Sequence, residues 1–318
     1  MLRRVWQSSM IALARSSWLK ARAQKRHSAS ALARNYVAGS DVRAGLERAY
    51  ALKRDNALRS SLCYLGEYVT DPAMVTETVR NKLAIVDALA QADLDVHVSV
   101  DPTQIGLLID DRTCRDNARA IAARVRERAG NRPGVHCMML DMEDASLVHS
   151  TIDLHDTLRR DGLPVAVTLQ AYLRRTEADL DGLLAAGARV RLVRGAFAES
   201  ARSAFTGDEE IKESFRRLIS RMFSPDAKAS GFYPTIATHD DRIQSFAISQ
   251  ARRYGWEKGS YEFEMLLGVR TGLAEELARS GERVRLYVPF GKDWWPYAVR
   301  RVGESPHNAK LIIRSLLS

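Results

Sequence analysis

The fold of this chain is decided by a strand–helix–strand pattern in residues 135–170, VHCMMLDMEDASLVHSTIDLHDTLRRDGLPVAVTLQ. Two short apolar segments, 135–140 and 164–169, flank a polar stretch with amphipathic character. Such alternation is typical of parallel strands that are joined by helical crossovers. The pattern therefore predicts an α/β fold with a parallel sheet.

The same alternation extends over the chain from residue 96 onwards. Seven segments have this character, at 96–100, 135–140, 164–169, 190–193, 234–237, 262–266 and 283–288, and 311–313 is a candidate eighth element. Their number and the chain length favour a (β/α)8 TIM-type barrel, which we expect to be distorted. A doubly wound sheet is the alternative, but no G-x-G-x-x-G fingerprint follows any of these segments.

The region before the barrel has a helical pattern. Residues 41–93 look helical throughout, with Asp41 as an N-cap and Asp71-Pro72 opening another helix. We therefore predict an N-terminal helical segment over residues 1–93 and the barrel over residues 94–318.

The positive charge of the chain is concentrated at its N-terminus. Of 318 residues, 48 are Lys or Arg and 39 are Asp or Glu, which gives a net charge of +9. Residues 1–40 hold eight of the basic residues and no acid, so the rest of the chain is nearly neutral. A wholly basic nucleic-acid-binding domain is therefore disfavoured. The segment suits an amphipathic helix, and a mitochondrial transit peptide over residues 1–33 is the competing interpretation.

Composition and motifs exclude several other classes. No apolar run reaches the roughly 18–20 residues that a transmembrane helix needs. The three cysteines, Cys63, Cys114 and Cys137, are far apart and odd in number, which indicates neither a disulfide framework nor a CxxC metal site. We expect no bound metal and a reducing compartment, hence a cytoplasmic location.

Polar or chargeable residues stand at the end of each predicted strand. In a barrel the active site forms at the C-terminal ends of the strands, so these groups are expected to converge. They are Asp101, Asp141, Gln170, Arg194, His239, Glu264 and Tyr287. Asp141 and Arg191 are expected to pair across the barrel mouth. His239 is either a general base or a hydrogen-bonding wall residue.

A further cluster follows the last strand. Tyr297, Arg300, Arg301 and Glu304 have helical spacing and share one face. Two adjacent arginines form a natural clamp for a carboxylate or a phosphate, because each guanidinium binds such a group bidentately. A solvated charged face, with Glu304 paired to an arginine, is the simpler alternative. Without a metal cluster or a nucleophile–base pair, the site suggests chemistry carried by a cofactor.

Eight motifs, in order, resemble the proline dehydrogenase family, whose flavin-dependent barrel oxidises L-proline to pyrroline-5-carboxylate. They cover the chain from about Asn35 to the C-terminus. They are LGE (65–67), PTQIGL (102–107), LDMED (140–144), LQAYL (169–173), VRLVRGA (190–196), ATHD (237–240), EFEMLLGVR (262–270) and LYVPFGKDWWPYAVRRVGESPHN (286–308).

The resemblance implies a role for each residue of the site. Arg300 and Arg301 clamp the substrate carboxylate, while Tyr287, Tyr297, Leu266 and Asp101 lie at the substrate. Arg191 sits by the hydride-accepting ring nitrogen of FAD and pairs with Asp141 as a gate. FAD is lined by Met142, Gln170, Arg191, Arg194, Gly195, Ala196, Thr238, His239 and Glu304. The electrons pass to a quinone. If they do, the eight positive charges of residues 1–40 predict a reversible, peripheral contact with the inner face of a bacterial membrane.

The chain departs from the family pattern at four positions. Asp101 stands where the family has a substrate-binding Lys, Glu264 replaces a Gln, Leu267 replaces an aromatic residue or His, and Arg194 replaces a Lys. Three alternatives to proline oxidation therefore stay open. They are a paralogue that oxidises another cyclic amine or imino acid, a non-catalytic or regulatory barrel, and a barrel enzyme that binds a phosphate or carboxylate without flavin.

Overall fold

The strands of the molecule close on themselves into a ring. The computed structural model describes residues 35–66, 68–295 and 297. The strands are β1 (Arg59–Tyr64), β2 (His97–Val100), β3 (Cys137–Leu140), β4 (Val165–Gln170), β5 (Arg189–Val193), β6 (Tyr233–Ala237), β7 (Glu262–Leu266) and β8 (Val284–Phe290). Each is parallel to the next, and β1 pairs with β8 from Arg59↔Arg285 to Tyr64↔Phe290. The (β/α)8 barrel prediction is confirmed.

Helices precede β1 and connect the strands. They are α1 (Val42–Asn56), α2 (Pro72–Gln91), α3 (Asp111–Ala129), α4 (Val148–Arg160), α5 (Thr176–Ala185), α6 (Asp208–Met222), α7 (Pro225–Ala229), α8 (Asp241–Arg253) and α9 (Thr271–Arg279). A 3₁₀ turn, Pro102–Ile105, follows β2. Both predicted N-caps are confirmed, because the Asp41 and Asp71 carboxylates accept the backbone N–H groups of Ala44 and Ala73. No helix in the described ranges has the length and apolarity that a membrane span requires.

The prediction that residues 41–93 are helical throughout is wrong at β1. The segment Arg59–Tyr64 reads RSSLCY, and its polar residues do not show the apolar pattern of a buried strand. Ser61 nonetheless fits the barrel because it faces a polar interior, where its hydroxyl contacts the ring of His97 at 2.9 Å. The barrel thus begins before the boundary predicted at residue 93, and β1 supplies its eighth strand. The candidate element at 311–313 lies outside the described residues.

The predicted helix within residues 1–40 also falls largely outside the described ranges, which begin at Asn35.

The barrel separates two kinds of packing. Alternate strand residues such as Leu62, Val167 and Leu192 are buried in the large apolar core that includes the surrounding helices. The residues between them face the bore of the barrel, because side chains alternate along a strand. The apolar part of the bore is a separate small cluster of Cys137, Met139 and Ala166. Much of the remaining bore is polar or charged.

A buried ion-pair network fills the lower end of the bore, which is the end at which the strands begin. Arg285, with 0% exposure, donates to both carboxylate oxygens of Glu262 at 2.9 and 3.1 Å and to Asp95 at 2.9 Å. Arg59 reaches the other oxygen of Asp95 at 3.1 Å. Burial alone raises the pKa of the Asp95 carboxyl, but attraction to Arg285 and Arg59 outweighs it and the pKa is lowered. Asp95 therefore stays ionised and holds two arginines.

Replacing Asp95 by Asn tests this network. We expect Asp95→Asn to lower the free energy of unfolding at pH 7 by about 3 kcal/mol, because it leaves buried Arg285 with one carboxylate fewer. The lowered pKa of Asp95 means that its stabilisation is present above the ordinary value of about 3.8 and is lost as the pH falls through the folded-state pKa. The difference between wild type and variant should therefore shrink below about pH 3.8 in urea unfolding experiments.

Asp93→Asn is the matched control. The Asp93 side chain is 91% exposed and lies 3.7 Å from Lys53 and 3.8 Å from Arg132. Such solvated pairs contribute about 0–1 kcal/mol. A loss at Asp95 that is no larger than the loss at Asp93, or that persists unchanged below pH 3.8, would contradict the assignment.

Candidate active site

The C-terminal mouth of the barrel collects polar side chains from several strands. Asp101 and Asp141 directly follow β2 and β3, and Gln170 ends β4. Arg191 lies in β5 and Glu264 in β7. His239 and Tyr287 complete the set, after β6 and in β8. The expected convergence of strand ends is therefore a property of the structure.

Arg191 is the centre of this arrangement. Its side chain is nearly completely buried, with the residue 4% exposed. It donates to Asp141 Oδ1 through Nη2 and to Glu264 Oε1 through Nη1, the latter at 2.7 Å. Thr168 Oγ1 accepts from Nε and Nη2 at 3.1 and 2.8 Å. The structure thus brings Asp141 and Arg191 together as the sequence predicts, and it adds a second carboxylate.

Asp141 is held by neutral donors as well. Its Oδ1 accepts from the Ser99 hydroxyl at 2.6 Å, and its Oδ2 accepts from the Tyr287 hydroxyl at 2.8 Å. Burial, together with the negative charge of Asp141, raises the pKa of Tyr287 well above its ordinary value. Tyr287 therefore keeps its proton and donates a hydrogen bond to Asp141. Its ring centre also lies 5.6 Å from the guanidinium carbon of Arg191.

Glu264 is the residue whose contact the sequence did not reveal. It is 3% exposed, and one of its oxygens, Oε2, is buried without a hydrogen-bond partner among the described residues. Burial raises the pKa of the Glu264 carboxyl, and the nearby charge of Arg191 opposes that effect. The signal for an inward carboxylate was present in the alternation of Glu262 and Glu264 along β7.

Three side chains at the mouth lie close enough to raise the question of a metal ion. Ligand atoms of Cys63, Asp101 and Asp141 are all within 4.8 Å of one another. Both oxygens of Asp141, however, already accept hydrogen bonds. Burial raises the pKa of the Cys63 thiol, which therefore keeps its proton. The chemistry of these donors does not favour a metal ion.

A charged pocket of about 430 Å³ opens beside the ends of β6 and β7. Its lining combines four cationic side chains with three carboxylates and one imidazole: Lys212, Arg216, Arg242, Arg270, Glu209, Asp240, Asp241 and His239. His239 Nε2 accepts the backbone N–H of Leu266 at 2.9 Å. Of the two interpretations of His239, the geometry therefore favours the hydrogen-bonding wall.

The remaining predicted residues occupy the rim. The Gln170 amide donates to the Glu143 carbonyl at 2.7 Å, and Thr238 Oγ1 accepts the Asp240 N–H at 3.1 Å. Arg194 pairs with Asp208 at 2.8 Å near the start of α6. Met142, Leu267 and Tyr297 are buried, Leu266 is partly buried at the end of β7, and Ala196 follows Gly195 in the loop after β5. Arg300, Arg301 and Glu304 lie outside the described residues.

Gly195 is required by a close approach at the end of β5. Its φ of +97° lies in a region that favours glycine. A Cβ at this position would stand 2.1 Å from the Tyr172 ring. The backbone of Gly195 therefore packs directly on an aromatic ring, where a side chain has no room.

Comparisons with known proteins find similar chains over most of this sequence. A family model described as proline dehydrogenase matches residues 46–313. Proline dehydrogenase from Deinococcus radiodurans is 32% identical over 291 residues, which cover 90% of each chain. Proline dehydrogenase 2 from Bacillus subtilis is 30% identical over 282 residues and 88% of each chain. The resemblance in the motifs is thereby confirmed.

Solved structures show the same fold. Proline utilization A from Bdellovibrio bacteriovorus, inactivated by N-propargylglycine, superposes with a TM-score of 0.77 at 21% identity, over 86% of this chain and 32% of that one. Proline utilization A from Corynebacterium freiburgense gives a TM-score of 0.74 at 21% identity, over 98% and 34%. This chain thus matches about a third of those longer chains.

Substituting Gly195 tests the packing at the end of β5. We expect Gly195→Ala to lower the free energy of unfolding by at least about 2 kcal/mol, because the methyl group meets the Tyr172 ring and the backbone is strained. Gly182→Ala is the matched control, since Gly182 lies in α5 with no atom within 4 Å of an added Cβ. That change should stabilise the protein by about 0.5–1 kcal/mol. Equal effects in denaturant unfolding would refute the close approach.

Proposed function

The chain belongs to the proline dehydrogenase family, and from this premise we propose that it oxidises L-proline to pyrroline-5-carboxylate with FAD as the hydride acceptor. We further propose that the electrons then pass to a quinone. The observation that carries the proposal is the buried Arg191, which two carboxylates hold at the mouth of the barrel beside a cation-rich pocket. Such a site offers orientation and charge, with a cofactor supplying the redox chemistry.

The residues present fit FAD. The pocket at β6 and β7 holds four cations against three carboxylates, and its Arg and Lys side chains are the groups suited to the phosphates of a dinucleotide, because they bind phosphate oxygens strongly. In the proposal, Arg191 lies beside the hydride-accepting ring nitrogen of the cofactor, and the other residues that line it are Met142, Gln170, Arg194, Gly195, Ala196, Thr238, His239 and Glu304. When bound, FAD accepts the hydride from the carbon beside the substrate amine.

The protein orients the substrate. Oxidation breaks that C–H bond, and the nitrogen lone pair forms the C=N bond while the nitrogen loses its proton, so the amine must arrive unprotonated. A fixed position of the ring is therefore the main catalytic need. In the proposal Arg300 and Arg301 bind the carboxylate, and Tyr287, Tyr297 and Leu266 contact the ring. Asp141 and Arg191 act as the gate, which the Tyr287 hydroxyl steadies through Asp141.

A second candidate function is the oxidation of a cyclic amine or imino acid other than proline. The specific observation is the position of Asp101, whose carboxylate lies within 4.8 Å of the ligand atoms of Asp141 and Cys63. Two carboxylates at the mouth oppose the approach of a third, and such repulsion costs a few kcal/mol where it is partly buried. A substrate without a carboxylate avoids this cost.

Anaerobic flavin reduction distinguishes these functions. We expect the purified wild type to carry FAD and its spectrum to bleach with L-proline, because hydride transfer reduces the flavin. Hydroxyproline, pipecolate and simple cyclic amines are tested alongside. We expect Asp101→Lys to raise the kcat/KM for proline about tenfold, because a cation then faces the carboxylate. Asp101→Asn is the matched control for the loss of charge alone.

Each result selects one function. Bleaching by a cyclic amine but not by proline would replace the first proposal by the second. A colourless protein that takes up no added FAD would support a non-catalytic barrel, and a bound phosphate ester without flavin would support a phosphate-binding enzyme.

We also propose that residues 1–40 hold the protein reversibly on an anionic membrane surface, where a quinone is available. Their eight basic residues and absence of acids favour such contact. Deleting residues 1–33 should lower binding to anionic liposomes at low salt, as measured by co-sedimentation. Unchanged binding would refute the membrane contact and leave the catalytic proposal intact.

A further inference from the structure

Arg191 and the two acids in direct contact with it carry more negative than positive charge when both acids are ionised. One guanidinium is in contact with two carboxylates, Asp141 and Glu264, so the three groups sum to −1 when both acids are ionised. All three are buried, and water therefore screens them weakly. Asp141 has support from Ser99 and Tyr287 besides Arg191. Glu264 lacks such support: burial raises the pKa of its carboxyl, and its contact with Arg191 is what favours the ionised form.

The contacts of Glu264 point to a task that concerns Arg191. Within the described ranges its side chain makes a hydrogen bond to Arg191 at 2.7 Å, and its second oxygen has no partner. Glu262, two residues earlier on the same face of β7, uses both oxygens to hold Arg285. Both oxygens of Glu262 therefore stabilise the fold, whereas one oxygen of Glu264 makes no hydrogen bond within the described ranges.

We propose that Glu264 is a positioning residue that holds the Arg191 guanidinium and offsets its positive charge, and thereby makes the bound flavin a weaker electron acceptor. The inference rests on the proposed function, which places Arg191 beside the hydride-accepting nitrogen. Charge near that part of a flavin tunes its electronic properties. Reduction brings negative charge to the ring, so a cation beside it favours reduction and a neighbouring carboxylate opposes it.

The test compares Glu264→Gln with the wild type, both loaded with FAD. Gln keeps the shape and an oxygen for Arg191 but removes the negative charge. We expect the reduction potential, measured by anaerobic titration against a reference dye, to become more positive. We expect the dissociation constant for sulfite, which adds to oxidised flavin and leaves it negatively charged, to fall about tenfold, or about 1.4 kcal/mol.

Two further variants complete the experiment. Glu257→Gln makes the same change at an exposed position in the loop that precedes β7, and it should move neither quantity. Glu264→Asp keeps the charge but withdraws it from Arg191, so it should shift both quantities in the same direction as Glu264→Gln and by less. Should Glu264→Gln not fold, the aspartate variant carries the test.

The outcomes separate this inference from the proposed function. A protein that binds FAD, with a sulfite dissociation constant and a potential unchanged in the Glu264 variants, overturns the inference alone. A wild type that binds no FAD overturns both. Shifts of equal size in Glu257→Gln would also overturn the inference, because they would come from overall charge and not from Arg191.

Discussion

The burial of two arginines inside the ring of strands is the constraint on which the rest of the structure depends. A guanidinium in a low-dielectric interior is costly unless carboxylates and hydrogen-bond acceptors surround it. Arg285 and Arg191 each meet this requirement with two carboxylates, one in β7 and one next to another strand, since Asp95 precedes β2 and Asp141 follows β3. These ion pairs consequently fix the register of the barrel strands, because a shift of one residue would turn the carboxylates out of the bore.

The two networks meet this constraint differently, and the difference indicates their tasks. At the lower end, the acids around Arg285 have both oxygens occupied, with Arg59 as a second cation on Asp95. At the mouth, one cation, Arg191, forms salt bridges to two acids, and Glu264 keeps an oxygen without a described partner. A pair that served folding alone gains nothing from such an excess of negative charge, because an unmatched buried polar atom is a cost. The lower end is thus fully paired, whereas the mouth keeps the unpaired oxygen on which the proposed role of Glu264 rests.

The sequence predicts those elements that are determined by residues close to one another in the chain. Apolar strands with chargeable ends, such as the one that leads into Asp141, appear directly as strand–helix alternation. The N-caps Asp41 and Asp71 are likewise local signals. The sequence pattern did not predict strand β1, because its inward residue Ser61 faces a polar bore and the strand therefore lacks the usual apolar signal. The pairing of Glu264 with Arg191 was not predicted either, because the two residues are 73 positions apart and meet only when the barrel closes.

The charges of the site are unevenly distributed between the mouth and the neighbouring pocket, which the overall composition does not reveal. Beyond residue 40 the chain is nearly neutral, yet the mouth has three carboxylates around Arg191, whereas the neighbouring pocket has four cations against three carboxylates. Strand β7 joins the two regions, because Glu264 lies in it and the N–H of Leu266, two residues on, holds His239 at the pocket wall. A single ligand that spans both regions is best matched if it carries its negative charge at one end and a neutral ring at the other. Phosphates beside a neutral electron-accepting ring system have that distribution, so these charges support the proposed dinucleotide flavin over a compact phosphate ester, which would leave the mouth unmatched.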